Sequence, residues 1–351
     1  MNFQDLFGGN TSIANSFDVP DVVNTVLIDS GLFKQQPHST NNILLERQDA
    51  DGVSFISTET MPYAQSDWSS APTKKWDAFN YELIHSAITN DVSSRDLEQQ
   101  LRYGIFDRTD QMVSALQDYS NRQYRMAHQF VESKLAEALF GGVARSTYAG
   151  QKDLNFFDAF GQTKTEFEIN IADSGAVNIF EQLDQISRII GVNLAGLSNY
   201  QTGMVIYATG AVARALKYHQ SIKDFTQYVM AFNDPNNLIT RVAPNLAEQR
   251  KWALNGVTVI DLSGFKNYED LIGSNNFVAV PVLGGGASLF DLHTGIGTRH
   301  ATEGQTSSDL GIHSYLSYGP RFGFPGCHTE TVILPIVNQP QAIVYGSAAA
   351  E

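Results

Sequence analysis

Residues 109–142, TDQMVSALQDYSNRQYRMAHQFVESKLAEALFGG, decide how the rest of the chain is read. Met112, Leu116, Tyr119, Gln123, Met126, Phe130 and Ser133 recur at alternating steps of four and three, which draws one narrow stripe along a helix. Asp118, Arg122, Arg125, Glu132, Lys134 and Glu137 occupy the remaining surface. Thr109 with Asp110 offers an N-cap, and Gly141-Gly142 stops the helix. From Thr109 to Phe140, at 1.5 Å per residue, the helix is about 48 Å long, more than twice the ordinary globular length. Gln123 and Ser133 sit inside the stripe, and Leu or Ile is missing from most of its positions. A coiled-coil seam therefore fits poorly, and the pattern predicts a helix backed by a sheet.

Upstream, residues 58–87 read TETMPYAQSDWSSAPTKKWDAFNYELIHSA. The polar tip Ser69 to Thr73 lies between Trp68 and Trp76, with Tyr63, Phe79 and Tyr81 further out, which reads as a long two-stranded hairpin with aromatic stems. Such a hairpin is marginal alone in water, so its rings pack either on this chain's own core or on a neighbour. Ile43 to Arg47 and Val53 to Ile56 alternate as strands around an Asp51-Gly52 turn signal. Residues 1–42 are rich in Asn, Ser, Asp and Gly, with short apolar clusters at Val22-Val23, Val26-Leu27-Ile28 and Leu32-Phe33. They read as an extended arm lying on something else, the alternative being a frayed terminus.

Downstream the pattern alternates between helix and strand. Glu166 to Ile171 has strand period. Val177, Phe180, Leu183, Ile186 and Ile190 mark a helix, and residues 211–230 one or two more. Buried strands are expected at Met204–Ala208, Val257–Asp261 and Phe277–Val280, and a short helix at Asn245–Leu254. From Gly284 onward the chain is Gly-rich and β-like, closing with Val332–Ile336 and Gln341–Tyr345. The fold class is α+β.

The chain has 351 residues, enough for one large core or two smaller ones. Only 17% of residues are charged, which hints at surface that becomes covered. Lys and Arg number 23 against 37 Asp and Glu, a net charge of −14 that opposes binding to phosphate backbones by counterion release. Cys327 is the single cysteine, which fits a reducing compartment. The opening MNFQDLFGGNTS has no basic segment, and no apolar run reaches membrane-spanning length, so neither secretion nor insertion is expected.

A search for chemistry finds little. There is no GxSxG, GxxxxGK[ST], HExxH or CxxC. Gly295-Ile296-Gly297-Thr298-Arg299-His300 approaches a dinucleotide loop but fails at its last position. Gly284-Gly285-Gly286 reads as a turn. His293, His300, His313 and His328 crowd the last sixty residues, with Asp291 and Glu303 nearby, yet their spacings have no helical or hairpin metal logic. Cys327 beside His328 makes no nucleophile pair, since strand neighbours point to opposite faces. No catalytic residue, cofactor site or metal site is expected.

In order, these parts are an arm, an aromatic hairpin, a long helix, a mixed α/β region and a β return. That order resembles the tailed-bacteriophage major capsid proteins of the Hong Kong 97-like fold, nearest to the lambda-type major head proteins of the phage major capsid protein E family. Ile43–Ala87 looks like that family's strand and E-loop, and Asp96–Gly142 like its spine-helix region. Gly256–Asp261 and Phe277–Val280 look like A-domain strands. The tail SYGPRFGFPGCHTETVILPIVNQPQAIVYGS looks like its closing motif. The resemblance covers nearly the whole length and rests on architecture and the tail.

It implies an N-arm over 1–42, a P-domain strand over 43–57, an E-loop over 58–87 and a P-domain over 88–175 with the spine helix at 109–140. An A-domain over 176–283 and a return over 284–351 to the A-domain edge and closing P-domain strands complete it. It also implies hexamers and pentamers of a shell, no cleaved scaffolding domain, and scaffolding, portal and decoration proteins as partners. DNA is enclosed without sequence-specific binding, no membrane is involved, and assembly takes place in the host cytoplasm. Lys74 and Lys75 lie near the hairpin tip, where some relatives form cross-links; no cross-link is expected from two solubilising lysines. Tyr63, Trp68, Trp76, Phe79, Tyr81, Val26 and Phe33 are the candidate subunit-interface residues. An encapsulin-type compartment and a small-molecule-binding α/β enzyme are the competing readings; the second leaves the arm and hairpin unexplained.

Overall fold

A computed structural model of the chain describes residues 25–48, 76–102, 104, 107–146, 152–172, 177–222, 250–254, 256–297, 309–318 and 325–349. The first elements are helix α1 (Val26–Ser30) and strands β1 (Lys34–Pro37), β2 (Asn42–Gln48), β3 (Trp76–Glu82) and β4 (Ile84–Asp91). Then come α2 (Ser94–Arg102), the long α3 (Arg108–Gly141), β5 (Val143–Ala144), β6 (Leu154–Asn155), α4 (Phe156–Phe160) and β7 (Thr165–Ile169). Next are α5 (Ile179–Leu194), β8 (Gln201–Ala208), α6 (Gly210–Tyr218), β9 (Lys251–Leu254), β10 (Val257–Asp261) and α7 (Lys266–Ile272). Strands β11 (Asn276–Leu283), β12 (Phe290–Thr294), β13 (Ile312–Tyr318), β14 (Pro325–Val337) and β15 (Val344–Ala348) follow.

Strand β14 organises the first sheet. Thr331 pairs with both Ser86 and Ile312, and Ile333 with both Ile84 and Thr294, so β4 lies along one edge while β13 and β12 succeed each other along the other. β1 extends that sheet in parallel with β12. The second sheet runs β7-β15-β11-β8-β10-β9, with β8 parallel to β10 and β7 parallel to β15. Alternation along these strands is weak because both faces are covered: β11 is buried from Phe277 to Pro281.

Helix α3 joins the two sheets and matches the predicted 109–140 to within one residue at each end. Its first half is amphipathic, packing Ala115, with Met112, Leu116 and Tyr119, on Val92 and Leu97. The Tyr119 hydroxyl meets the Asp96 carboxylate, and burial together with that hydrogen bond pushes its pKa up to about 12. The second half is buried nearly all round at Val131, Glu132, Lys134, Leu135, Ala136, Ala138, Leu139 and Phe140. There the Phe140 ring meets Tyr207 edge-on at 5.3 Å and Tyr268 at 6.1 Å, and the Tyr345 hydroxyl donates to the Leu139 carbonyl at 3.1 Å. Gly142, at φ +67°, ends the helix in the left-handed region that glycine adopts without a Cβ penalty.

Several expectations are corrected. Met126 and Ser133 of the helical stripe are exposed; the buried line runs instead through Gln111, Ala115, Gln123, Ala127 and Val131, spaced in steps of four and eight. The strand expected over 43–57 begins at Asn42 and pairs with β3, from Asn42 opposite Glu82 to Gln48 opposite Trp76, outside either large sheet. The hairpin placed at 58–87 therefore has its stem in 42–48 and 76–82, whereas residues 84–91 belong to the β14 sheet. The Asp51-Gly52 turn lies outside the described residues. β7, at the expected strand 166–171, pairs with β15 in the second sheet. The helix expected over 245–254 is, in its described part, strand β9. Gly256 (φ +81°) at the turn makes Asn255-Gly256 the hairpin signal that the helical reading passed over.

Candidate assembly interface

Residues 1–24 of the expected arm lie outside the described residues. From residue 25 onward it is docked on its own subunit: Leu27 is fully buried and Val26 packs partly buried against the core. Phe33 is buried, its ring 5.6 Å from Phe290. Val26 and Phe33, both named as interface candidates, pack against this chain's own core, since α3 and the β12 edge supply the apolar surface that their clusters lack locally. Tyr81 is half-buried against the same core and donates its hydroxyl to the Lys152 carbonyl at 2.6 Å, so it too serves its own subunit. Trp76 and Phe79 stand on β3, opposite Gln48 and Leu45. Tyr63, Trp68, Lys74 and Lys75 lie outside the described residues.

Three polar clasps hold the body together, and sequence reasoning named the role of none. In the first, Gln123, fully buried under α3, donates from Nε2 to Asn90 Oδ1 and to the Cys327 carbonyl, both at 2.9 Å, and its Oε1 accepts from the Thr329 hydroxyl at 2.9 Å. A polar residue inside an apolar stripe was the signal. The second is Glu132, whose carboxylate accepts from the backbone N–H groups of Leu27 (2.7 Å) and Ile28 (3.0 Å) and from the Tyr268 hydroxyl (2.6 Å). Thr25 gives α1 no side-chain cap, so a glutamate 105 residues away caps it. Burial raises the Glu132 pKa despite these hydrogen bonds.

The third clasp joins His38 Nε2 to His293 Nδ1 at 2.7 Å. Antiparallel pairing also explains why the histidine spacings looked meaningless. His328 pairs with Tyr315 and Thr89, Glu330 with His313, Val332 with His85, and Leu334 with His293, so these side chains share the face of the β14 sheet turned away from Gln123. Glu330 accepts from the Tyr315 hydroxyl at 2.7 Å and lies 3.6 Å from His85. His300 lies outside the described residues. Among the described residues no group of three or more His, Cys, Asp or Glu side chains is arranged to hold a metal ion. No described helix is long and apolar enough to cross a membrane. Two shallow cavities lie among the described residues, one of about 150 Å³ beside Met204 and Asp184 and one of about 230 Å³ between α3 and α7.

The exposed apolar side chains were not foreseen either. Val113, Tyr124 and Met126 are exposed on α3, with the Tyr124 ring 4.0 Å from that of His128. Val192, 78% exposed in the last turn of α5, and Tyr200, just before β8, are exposed as well.

Solved capsid structures are similar to this chain in overall fold. The capsid of a native GTA particle matches with a TM-score of 0.52 at 12% identity, covering 97% of this chain and 99% of that one. The capsid of Myoviridae phage XM1 matches with a TM-score of 0.51 at 10% identity, covering 97% and 100%. A crystallised protein assigned as the capsid protein of a prophage from E. coli CFT073 matches with a TM-score of 0.53 at 12% identity, covering 99% of both. No curated protein sequence matches. The fold is that of the Hong Kong 97-like shell proteins. The chain belongs to the phage major capsid protein E family, whose model matches residues 11–347. It is a structural subunit and not an enzyme; copies of it assemble into a capsid, and its place is the virion.

Proposed function

We propose that this subunit forms hexamers and pentamers that close into an icosahedral shell around double-stranded phage DNA, and that the hairpin rising from β2 and β3 reaches a neighbouring subunit. The observation that carries the reading is the stem itself. Its root is tied down by buried Ile43 and half-buried Tyr81, while its ladder joins neither large sheet. The aromatic segment between its strands, with Tyr63 and Trp68, and the β3 residues Trp76 and Phe79 then supply contact area without enlarging the core. The net charge of −14 leaves the packaged DNA enclosed without sequence-specific adhesion. Scaffolding, portal and decoration proteins are the partners of this reading, and the host cytoplasm is where the shell is built.

Electron microscopy of the expressed protein, negatively stained and then frozen, tests it. Closed particles with five-fold and six-fold capsomers are expected. Only small particles under every assembly condition would sink the proposal, and particles built without DNA capacity would favour an encapsulin-type compartment.

A further inference from the structure

We propose that the His38–His293 pair is a pH-operated clasp: neutral, it fixes strand β1 to the edge of the five-stranded sheet, and protonated, it lets that strand go. β1 is a weak attachment by itself. It has four residues, of which Lys34, Gln35 and Pro37 are exposed, and Pro37 has no N–H to donate. Its ladder runs from Lys34 opposite Asp291 to Pro37 opposite Thr294, and among the described residues no further strand pairs with it.

Just beyond that ladder, the His38 backbone N–H donates to the Thr294 carbonyl at 2.8 Å, and its ring meets the His293 ring with centroids 4.9 Å apart. A hydrogen bond between two imidazoles needs one nitrogen to donate and the other to accept. Once both rings are protonated there is no acceptor, and two like charges lie within hydrogen-bond distance.

Among the described residues, these groups surround the pair. On β12, Asp291 favours a charged ring, but its carboxylate is engaged by Asn338 Nδ2 at 2.6 Å. On β1, Lys34 stands opposite Asp291, and β14 contributes Leu334 and Ile336 to that face. Burial and then the neighbouring His38 outweigh Asp291 and hold the His293 pKa down, from 6.5 to about 4. A released His293 takes up its proton near the ordinary value, whereas the docked one resists to about 4. The attachment is therefore complete above the ordinary value, weakens as pH falls through that window, and is lost toward 4.

The neighbouring anchor responds with the opposite sign. Glu132 has a raised pKa, so its contribution persists in acid and fades as pH rises through that raised value. Acidification thus frees residues 34–38 while α1 stays capped by Glu132 on one side and the β2–β3 ladder remains on the other.

Hydrogen–deuterium exchange on the full-length protein, with rates corrected for intrinsic exchange, reads this directly. From about pH 7.5 to about pH 4.5, protection over residues 34–38 should fall by up to about tenfold per pH unit, while β11 and β14 keep theirs. In His293→Gln, which cannot titrate, protection there should no longer depend on pH, whether its level is high or low. His85→Gln, altered on the same sheet face, should keep the wild-type response. Release of 34–38 only together with β11 and β14, a wild-type pH response in His293→Gln, or its loss in His85→Gln would each overturn the proposal.

Discussion

Gln123 shows how much one side chain settles. It spends its amide on three partners in two strands, Asn90 on β4 and Cys327 and Thr329 on β14, at the point where α3 crosses them. Truncation removes all three hydrogen bonds inside a buried interface. Gln123→Ala should lower the urea-unfolding stability of the subunit by about 2–4 kcal/mol, and Gln123→Leu should recover little of it, because the loss lies in the stranded partners rather than in volume. A leucine variant as stable as wild type would show that shape alone seats the helix. The stripe containing Gln123 was legible in the sequence. Its partners were not, since Cys327 and Thr329 lie more than 200 residues away and only the fold brings them under the helix. Glu132 was read as surface charge for the same reason: nothing local reveals that α1 lacks a cap of its own.

Among elements, α3 was the most legible, because helical spacing and a double glycine pointed to its extent, although it starts before the expected Thr109 cap and the Asp107 carboxylate accepts from the Asp110 N–H instead. Its stop depends on Gly142. A Cβ there would come within 2.5 Å of the Phe157 ring, on a backbone already at φ +67°. Gly142→Ala should therefore cost about 1–3 kcal/mol, visible in calorimetry as a lower melting temperature. Gly141→Ala, whose Cβ meets open space, should change little. Equal effects would mean that the turn relaxes. The hairpin stem was half legible. Aromatic alternation marked the β3 strand, but its partner is set by pairing across residues 49–75, and pairing leaves no local signature. Lys251–Leu254 was misread because four residues hold too little periodicity to separate helix from strand.

For the whole molecule, the question is which aromatic rings serve the subunit and which serve the shell. Phe33 and Tyr81 are already occupied at home. The double change Trp68→Ala and Trp76→Ala should leave the far-ultraviolet circular dichroism and unfolding midpoint of the subunit intact while sharply reducing particle yield, each ring being worth about 2 kcal/mol if buried between subunits. An unfolded subunit would assign those rings to its own core. Fold class and family resemblance were readable because the order of parts survives at 10–12% identity. Which sheet each strand joined was not, because β4, β7 and β15 reach their partners across long stretches of sequence.

The position of β14 carries a consequence of timing. Three strands of the first sheet, β4, β12 and β13, wait for it, and β4 precedes it by more than 230 residues. While the ribosome is still upstream of residue 325, β4 has no ladder and the bed beneath Gln123 does not exist. Closing so large a loop is slow, so the helix is made long before the surface it will lie on. A nascent chain can therefore offer no finished face to its siblings, and lattice growth is confined to subunits whose synthesis has passed β14.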